Sequence, residues 1–256
     1  MKVMNAELSD RILAFCQRWR IREFSLVDAV WYGDVCDDDP AEESENGVDA
    51  LVQFEVEAVP TVLDLVQMKD ELKQLFGKPL NLLLRESVEQ SENYLRRQRI
   101  IKSANVIYDS GCCRPIASFE AHNAITPEEQ DAVLLLDILI ACRRIQRYTT
   151  DICWEKFQQC DCTLLQDATV QQLELIGNAV QHLSQRTKNQ YPDIPWEQIM
   201  DICDCLVCEN HRADAKTIWE AVQNGIPKLI QCIERFVPPE EQGLDYKSLS
   251  LASEPA

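Results

Sequence analysis

Apolar residues near the start of the chain recur every three or four positions. Leu8, Ile12, Phe15, Cys16 and Trp19 form one stripe, the spacing of a helix that buries one face, over Ala6 to Arg20. The rhythm then changes. Phe24 to Trp31 (FSLVDAVW) and Val48 to Val56 (VDALVQFEV) are rich in β-branched and aromatic residues and read as strands, with the polar loop DDDPAEESENG between them. Thr61 to Phe76 returns to helical spacing and is closed by Gly77. Leu80 to Leu84 reads as a third short strand. Ser87 to Tyr108 reads as a helix with Ile100, Ile101, Ala104 and Ile107 on one stripe. Strand, loop, strand, helix, strand is the order of a small α/β or α+β domain.

The periodicity lapses from Gly111 to Pro127 (GCCRPIASFEAHNAITP) and resumes as helix alone. Thr126-Pro127 is an N-cap followed by proline at the first helical position, so Glu128 to Thr149 is expected to be helical. Further helices are expected over Ile152 to Phe157, Thr163 to Thr187, Trp196 to Glu209 and Ala213 to Phe236, stopped by Pro238 and Pro239. Short connections between helices favour an antiparallel bundle. The expected fold class is α+β: a small mixed sheet with helices, followed by an all-α bundle. The expected division is a first domain over 1–111, a linker over 112–127, the bundle over 128–237 and a tail over 238–256.

Composition narrows the functions. The apolar fraction of 46% supports globular folding, and only seven glycines in 256 residues favour helices. A net charge of −18 weighs against nucleic-acid partners, which require Lys and Arg against phosphate. No apolar run is long enough to span a membrane. The first ten residues, MKVMNAELSD, lack the apolar core of a secretory signal. The expected location is therefore cytoplasmic, and the twelve cysteines are expected there as thiols or metal ligands.

Three short segments of the first half carry candidate chemistry. Tyr32-Gly33-Asp34 follows the first expected strand. Asn46-Gly47-Val48-Asp49-Ala50-Leu51-Val52 opens the second, and Asn81 lies in PLNLLL on the third. On these segments and their order the first half resembles the minimal nucleotidyltransferases. The resemblance implies a Gly-Ser turn, an Asp-x-Asp pair and a third Asp, the three carboxylates holding two magnesium ions for nucleotidyl transfer. Here Gly33 is present, but Asp34 takes the serine position. Gly47 takes the first aspartate position and Asn81 the third, so Asp49 is the one carboxylate left. Between Glu23 and Met68 there is no Lys or Arg, while Asp34, Asp37, Asp38, Asp39, Glu42, Glu43 and Glu45 fall inside that span. A polyphosphate site normally supplies cations or a glycine-rich backbone.

The second half has its own motif region, YPDIPWEQIMDICDCLVCENH, from Tyr191 to His211. With LLLDILIACRRIQRY (134–148), LELIGNAVQHLS (173–184) and IWEAVQNGIPKL (218–229), it resembles the HEPN family of helical ribonucleases, HepT-like toxin type. That resemblance implies dimers that form a shared cleft, with an Arg-Asn, a His and a Tyr on the motif helix. The arginine would stabilise phosphate charge and the histidine would move protons, without metal. In toxin–antitoxin pairs of this type, the nucleotidyltransferase attaches AMP to that tyrosine. At these positions this chain has Cys203, Asp204, Cys208 and Asn210. A thiol does not replace a guanidinium at phosphate, and an amide side chain does not accept AMP as a phenol does.

Cys205, Cys208 and His211 would share one side if the helix runs on to His211. With Cys203, they suggest a zinc site completed from elsewhere, for instance by Cys160 or Cys162, or a redox-sensitive interface. The alternative is that they are small semi-apolar residues in a helix interface. Arg143, Arg144 and Arg147 form a small basic cluster, expected as a solvated face or an interdomain salt-bridge surface. His182 is expected as an exposed helix residue. The leading expectation is a non-catalytic fusion of the two domain types, a pseudoenzyme without cofactor. It would bind a protein partner or a second copy through the bundle. The alternatives are an active toxin–antitoxin enzyme using magnesium with ATP or cleaving RNA, and a cysteine-based metal or redox sensor.

Overall fold

The computed structural model describes residues 6–28, 48–58, 60–77, 80–110, 112–113, 126–159, 163–201 and 215–240. In the first half, strands β1 (Ile21–Asp28), β2 (Val48–Phe54), β3 (Leu82–Leu84), β4 (Asn105–Asp109) and β5 (Cys112–Cys113) form one mixed sheet in the order β3-β2-β1-β4-β5. β1 runs antiparallel to β2 and to β4, β2 is parallel to β3, and β4 is antiparallel to β5. Alternation along the strands sends successive side chains to opposite faces. Phe24, Leu26, Ala50 and Val52 point to one face and pack with Ile12, Phe15, Met68 and Leu72 of helices α1 (Ala6–Arg18) and α2 (Val62–Phe76). Phe24 is held between two rings, edge-on to Phe15 at 6.1 Å and stacked with Phe76 at 6.4 Å. The opposite face buries Val27 and Leu51 against Val88 of α3 (Arg85–Glu89) and Ile100 of α4 (Tyr94–Ser103).

Local chemistry fixes the ends of these helices. Thr61 caps α2, accepting from the Asp64 N–H while the Asp64 carboxylate accepts from the Thr61 N–H at 2.7 Å, a reciprocal capping box. Gly77 ends it at φ 74°, a left-handed conformation that costs a side-chain-bearing residue more.

The single helix expected over 87–108 is instead α3, a turn, α4 and strand β4. α3 ends at Glu89, and Asn93 starts the second helix, accepting from the Arg96 N–H at 3.0 Å. Ile100, Ile101 and Ala104 do fall together against the sheet. Ile107 belongs to the opposite cluster, because Asn105-Val106-Ile107-Tyr108 pairs with β1 in extended form. The apolar spacing suits both periods, and the free edge of β1 decides for strand. Cys112 and Cys113, expected in the linker, pair with Asp109 and Tyr108 at the sheet edge.

Helices are the regular elements of the second half among its described residues. α5 (Pro127–Thr149), α6 (Trp154–Phe157), α7 (Thr163–His182), α8 (Gln185–Gln190), α9 (196–201), α10 (Ala215–Glu220) and α11 (Ile226–Ile233) follow one another, with a π-helical turn at Ala221–Gly225 joining the last two. α5, α7 and α11 share one core that includes Leu134, Ile138, Cys142, Ile145, Leu173, Ile176, Val180 and Ile233. The helix expected to run from 163 to 187 breaks at Leu183, where Ser184 caps α8. The cause is Asp131 on α5, which is 4% exposed and accepts from the Ser184 N–H at 2.9 Å and from the Ser184 and Thr187 hydroxyls.

The halves are joined along α4 and α5. Tyr94 is counted within the bundle core. The Asn93 amide donates to the Val133 carbonyl at 3.0 Å and to Asp137 at 2.7 Å, and Arg96 forks onto the same Asp137 carboxylate. Arg99 pairs with Glu129 at 3.0 Å and Arg97 with Glu240 at 2.6 Å. These three guanidinium side chains are only 13–17% exposed, so the pairs are shielded more than ordinary surface pairs.

Candidate functional site

Of the residues that carry the nucleotidyltransferase resemblance, Asp49 and Asn81 are described. Gly33, Asp34 and Gly47 lie outside the described residues. The sheet brings Asp49 and Asn81 together. β2 and β3 are parallel with Ala50 opposite Leu82, which sets Asp49 beside Asn81. Two hydrogen bonds lock the junction. The Asn81 N–H donates to Asp49 Oδ1 at 3.3 Å, and the Ala50 N–H donates to the Asn81 carbonyl at 2.8 Å. Asp49 alternates with Leu51 and is fully buried at 0% exposure. The Asp49 carboxylate is thus engaged by the backbone of the very residue that stands at the third position. This arrangement orders the start of two strands. A metal-binding role needs carboxylate oxygens directed at a hard cation in company with others, and among the described residues no group of three or more His, Cys, Asp or Glu is placed to hold one.

On the bundle, Cys203, Asp204, Cys205, Cys208, Asn210 and His211 lie outside the described residues, as do Cys160 and Cys162. The approach to them is well defined. Tyr191 packs against Phe236 with ring centroids 3.7 Å apart and planes tilted by 32°, Ile194 is buried, and the Trp196 indole N–H donates to the Lys188 carbonyl at 3.2 Å and the Tyr191 carbonyl at 3.1 Å. The YPDIPW segment is therefore a folded corner. It ties the start of α9 to the end of α8 and to the chain just beyond α11, and it aims the helix that leads into the motif. The Ile199 N–H bonds back to the Pro195 carbonyl at 3.1 Å, so α9 is established before Asp201. Cys16, Cys142, Cys153 and Cys232 form no disulfide.

The arginine cluster resolves into defined pairs. Arg144 and Arg147 reach Glu92 of the first half at 3.5 and 3.9 Å, and Arg143 pairs with Glu234 at 2.9 Å. Two of the three thus serve the interdomain surface. His182 is exposed, with Nδ1 2.8 Å from the Asn178 carbonyl one turn back. What sequence reasoning missed is the polar joint of Asn93, Arg96 and Asp137. Its one visible signal is a charged residue inside the apolar run LLLDILI. Ionisation follows geometry here. The Thr126 backbone N–H, and then Arg99, hold the Glu129 carboxyl below its ordinary 4.5. Burial, with Glu240 nearby, pushes the Tyr94 phenol above its ordinary 10.0. No helix among the described residues is long and apolar enough to cross a membrane.

The helical half defines the class: among the described residues it is an all-α bundle. Residues 138–236 match the family "Ribonuclease HepT-like". A protein of Methanocaldococcus jannaschii named "Putative RNase" is 31% identical over 123 residues, which is 48% of this chain and 99% of that protein. "Probable ribonuclease HepT" of Thermococcus cleftensis is 34% identical over 95 residues, 37% of this chain and 84% of that protein. A second M. jannaschii protein, "Gamma-glutamylcyclotransferase and putative RNase", is 32% identical over 115 residues, and the match spans 51% of its length. Through its helical half the chain belongs to the ribonuclease HepT-like family, related to toxin–antitoxin modules. No solved structure matches the chain.

Proposed function

We propose that the chain is a fusion of a minimal-nucleotidyltransferase-type domain, over 1–111, with a HEPN domain, over 128–237, retained for binding rather than catalysis. In this reading it is a protein-binding scaffold or regulator derived from a toxin–antitoxin module. It engages a protein partner or a second copy through the bundle and requires no cofactor. The observation that carries the reading is the joint replacement of chemistry at three sites. Cys203 and Cys208 stand for the nuclease arginine and histidine, Asn210 stands for the AMP-accepting tyrosine, and Asp49 alone remains of the metal-binding carboxylates. The burial of Asp49 and its bond from the Asn81 N–H support a structural role for that last carboxylate.

The test is direct. The purified chain is incubated with labelled ATP and magnesium, and separately with a mixed RNA substrate. The expected outcome is no transferred label and no cleavage above a no-protein control. Label transfer abolished by Asp49→Ala, or cleavage abolished by Asp204→Ala, overturns the reading. Metal analysis of protein purified without chelator decides the zinc alternative at Cys205, Cys208 and His211; near-zero stoichiometry removes it. A second reading, ribonuclease activity, is favoured by the names of the relatives, and the same RNA assay decides between the two.

A further inference from the structure

Residues 236–240, just beyond α11, touch both halves of the chain. Phe236 and Val237 close the last turn, their N–H groups donating to the Ile233 carbonyl at 2.9 and 3.3 Å. The Phe236 ring packs on Tyr191, at the head of the corner that leads into α9. Val237 packs against the bundle core. Pro238-Pro239 then ends the helical path, because proline fixes φ, offers no N–H and drives the residue before it into extended backbone. The Pro238 carbonyl accepts from the Tyr94 hydroxyl of α4. Two residues on, the Glu240 carboxylate pairs with Arg97, also of α4, at 2.6 Å. Both grips are sheltered on the α4 side, with Tyr94 9% exposed and the Arg97 side chain 17% exposed, so solvent and salt screen them little.

Consecutive prolines hold an extended, stiff backbone. A hold on α4 is therefore passed along to Phe236 instead of being absorbed by slack chain. We propose that residues 236–240 form a strap that couples the seating of the sheet half to the order of the 191–196 corner, the segment that aims α9. With α4 seated, Tyr94 and Arg97 fix the strap and the strap keeps Phe236 on Tyr191. With α4 lifted, the strap is released, Phe236 (already 38% exposed) swings toward solvent and the corner loses one of its walls. These are the two arrangements that the coupling requires. By linkage it runs both ways, so whatever orders the corner also favours the seated sheet half. The inference concerns the corner as far as Asp201 and holds whether or not the chain is catalytic.

Hydrogen–deuterium exchange of the full chain tests the strap. Tyr94→Phe combined with Glu240→Ala removes both grips and leaves Phe236 and residues 191–201 intact. The Ile194 and Trp196 N–H groups bond to the Tyr191 and Ile194 carbonyls, and their exchange is expected to speed up by about fivefold or more. Exchange over 173–180 of α7 is expected to stay as it was. Arg99→Gln is the control, because it cuts the Glu129 pair on the same helix without touching the strap, and it is expected to leave the corner unchanged. Unchanged corner exchange in the double variant overturns the proposal. So does acceleration that extends through 173–180, which marks general loosening of the bundle, and so does equal acceleration in Arg99→Gln. Phe236→Ala reads the coupling from the other end. It is expected to speed exchange of the Arg97 N–H, which bonds to the Asn93 carbonyl in α4, and an unchanged rate there overturns the proposal as well.

Discussion

Two stretches of the sheet half are opposites in charge, and the contrast explains how the molecule is assembled. From Glu23 to Met68 the chain contains no base. In α4, by contrast, Arg96, Arg97, Arg99 and Lys102 are crowded into ten residues. The acidic stretch contributes two core strands but no described ion pair with the bundle; its described ion pairs, Glu23 with Arg85 and both Glu55 and Glu57 with Arg20, lie inside the sheet half. The basic helix makes the joint, placing three guanidinium groups against Asp137, Glu129 and Glu240. A net charge of −18 thus conceals a seam where cations are concentrated and shielded. The lesson is that overall charge speaks to partners in solution, whereas local charge decides which surfaces of one chain adhere.

The comparison is sharpened first within the bundle, where the largest effect is expected. Asp131→Ala removes the acceptor for one backbone N–H and two hydroxyls at the corner of α7 and α8. A loss of about 2–4 kcal/mol is expected in urea denaturation, because the donors left behind are buried at Thr187 and half-buried at Ser184. A loss under about 1 kcal/mol would show that the corner relaxes to water.

Next is the seam. Asp137→Ala strips both Asn93 and Arg96 of their shared acceptor. It is expected to cost about 1–3 kcal/mol and to separate unfolding of the sheet from that of the bundle, visible as two transitions by far-UV circular dichroism. If one transition persists with unchanged midpoint, the seam is held by apolar contact alone. Tyr94→Phe, which loses the phenol's bond to the Pro238 carbonyl, is expected to cost about 1 kcal/mol. The raised Tyr94 pKa adds a sign. Its stabilising contribution is complete below the phenol's ordinary 10.0 and is lost as pH climbs through the elevated value. An alkaline titration followed by tyrosinate absorbance checks it, and a phenol that ionises above the ordinary value should vanish in Tyr94→Phe.

The smallest effect is at Glu129, which is depressed below its ordinary 4.5. Stability from its cap and its Arg99 pair is present above that value and declines as pH falls through the lowered pKa. Thr126→Ala is expected to cost about 1 kcal/mol at neutral pH and to flatten part of this acid dependence. An unchanged acid limb would assign it to other carboxylates.

Much of this was legible beforehand, for reasons that can be named. Thr126-Pro127 announces α5 because an N-cap hydroxyl and a proline at the first turn are local devices that need no tertiary partner. Gly77 announces the end of α2 in the same way. The stripe over 8–19 places Ile12, Phe15 and Cys16 in the core as its spacing demands. The run 100–108 misled because isoleucines three and four apart satisfy a helix, while the pairing that makes Asn105 to Asp109 a strand is with β1, about 80 residues earlier in the chain. Ser184 carries a cap signature, but the acceptor that breaks the helix there is Asp131, more than 50 residues earlier.

Sequence alone determined the elements with local stop signals, the helical family of the second half, and the identity of the residues at each motif position. Those are properties of short windows. The tertiary structure decided the rest. It placed Asp49 beside Asn81, because strand register rather than sequence distance makes neighbours of them. It turned Arg144 and Arg147 toward Glu92. It also set Pro238 and Glu240 against Tyr94 and Arg97, a juxtaposition that exists only when two halves of a chain close on each other and their polar groups must find partners there.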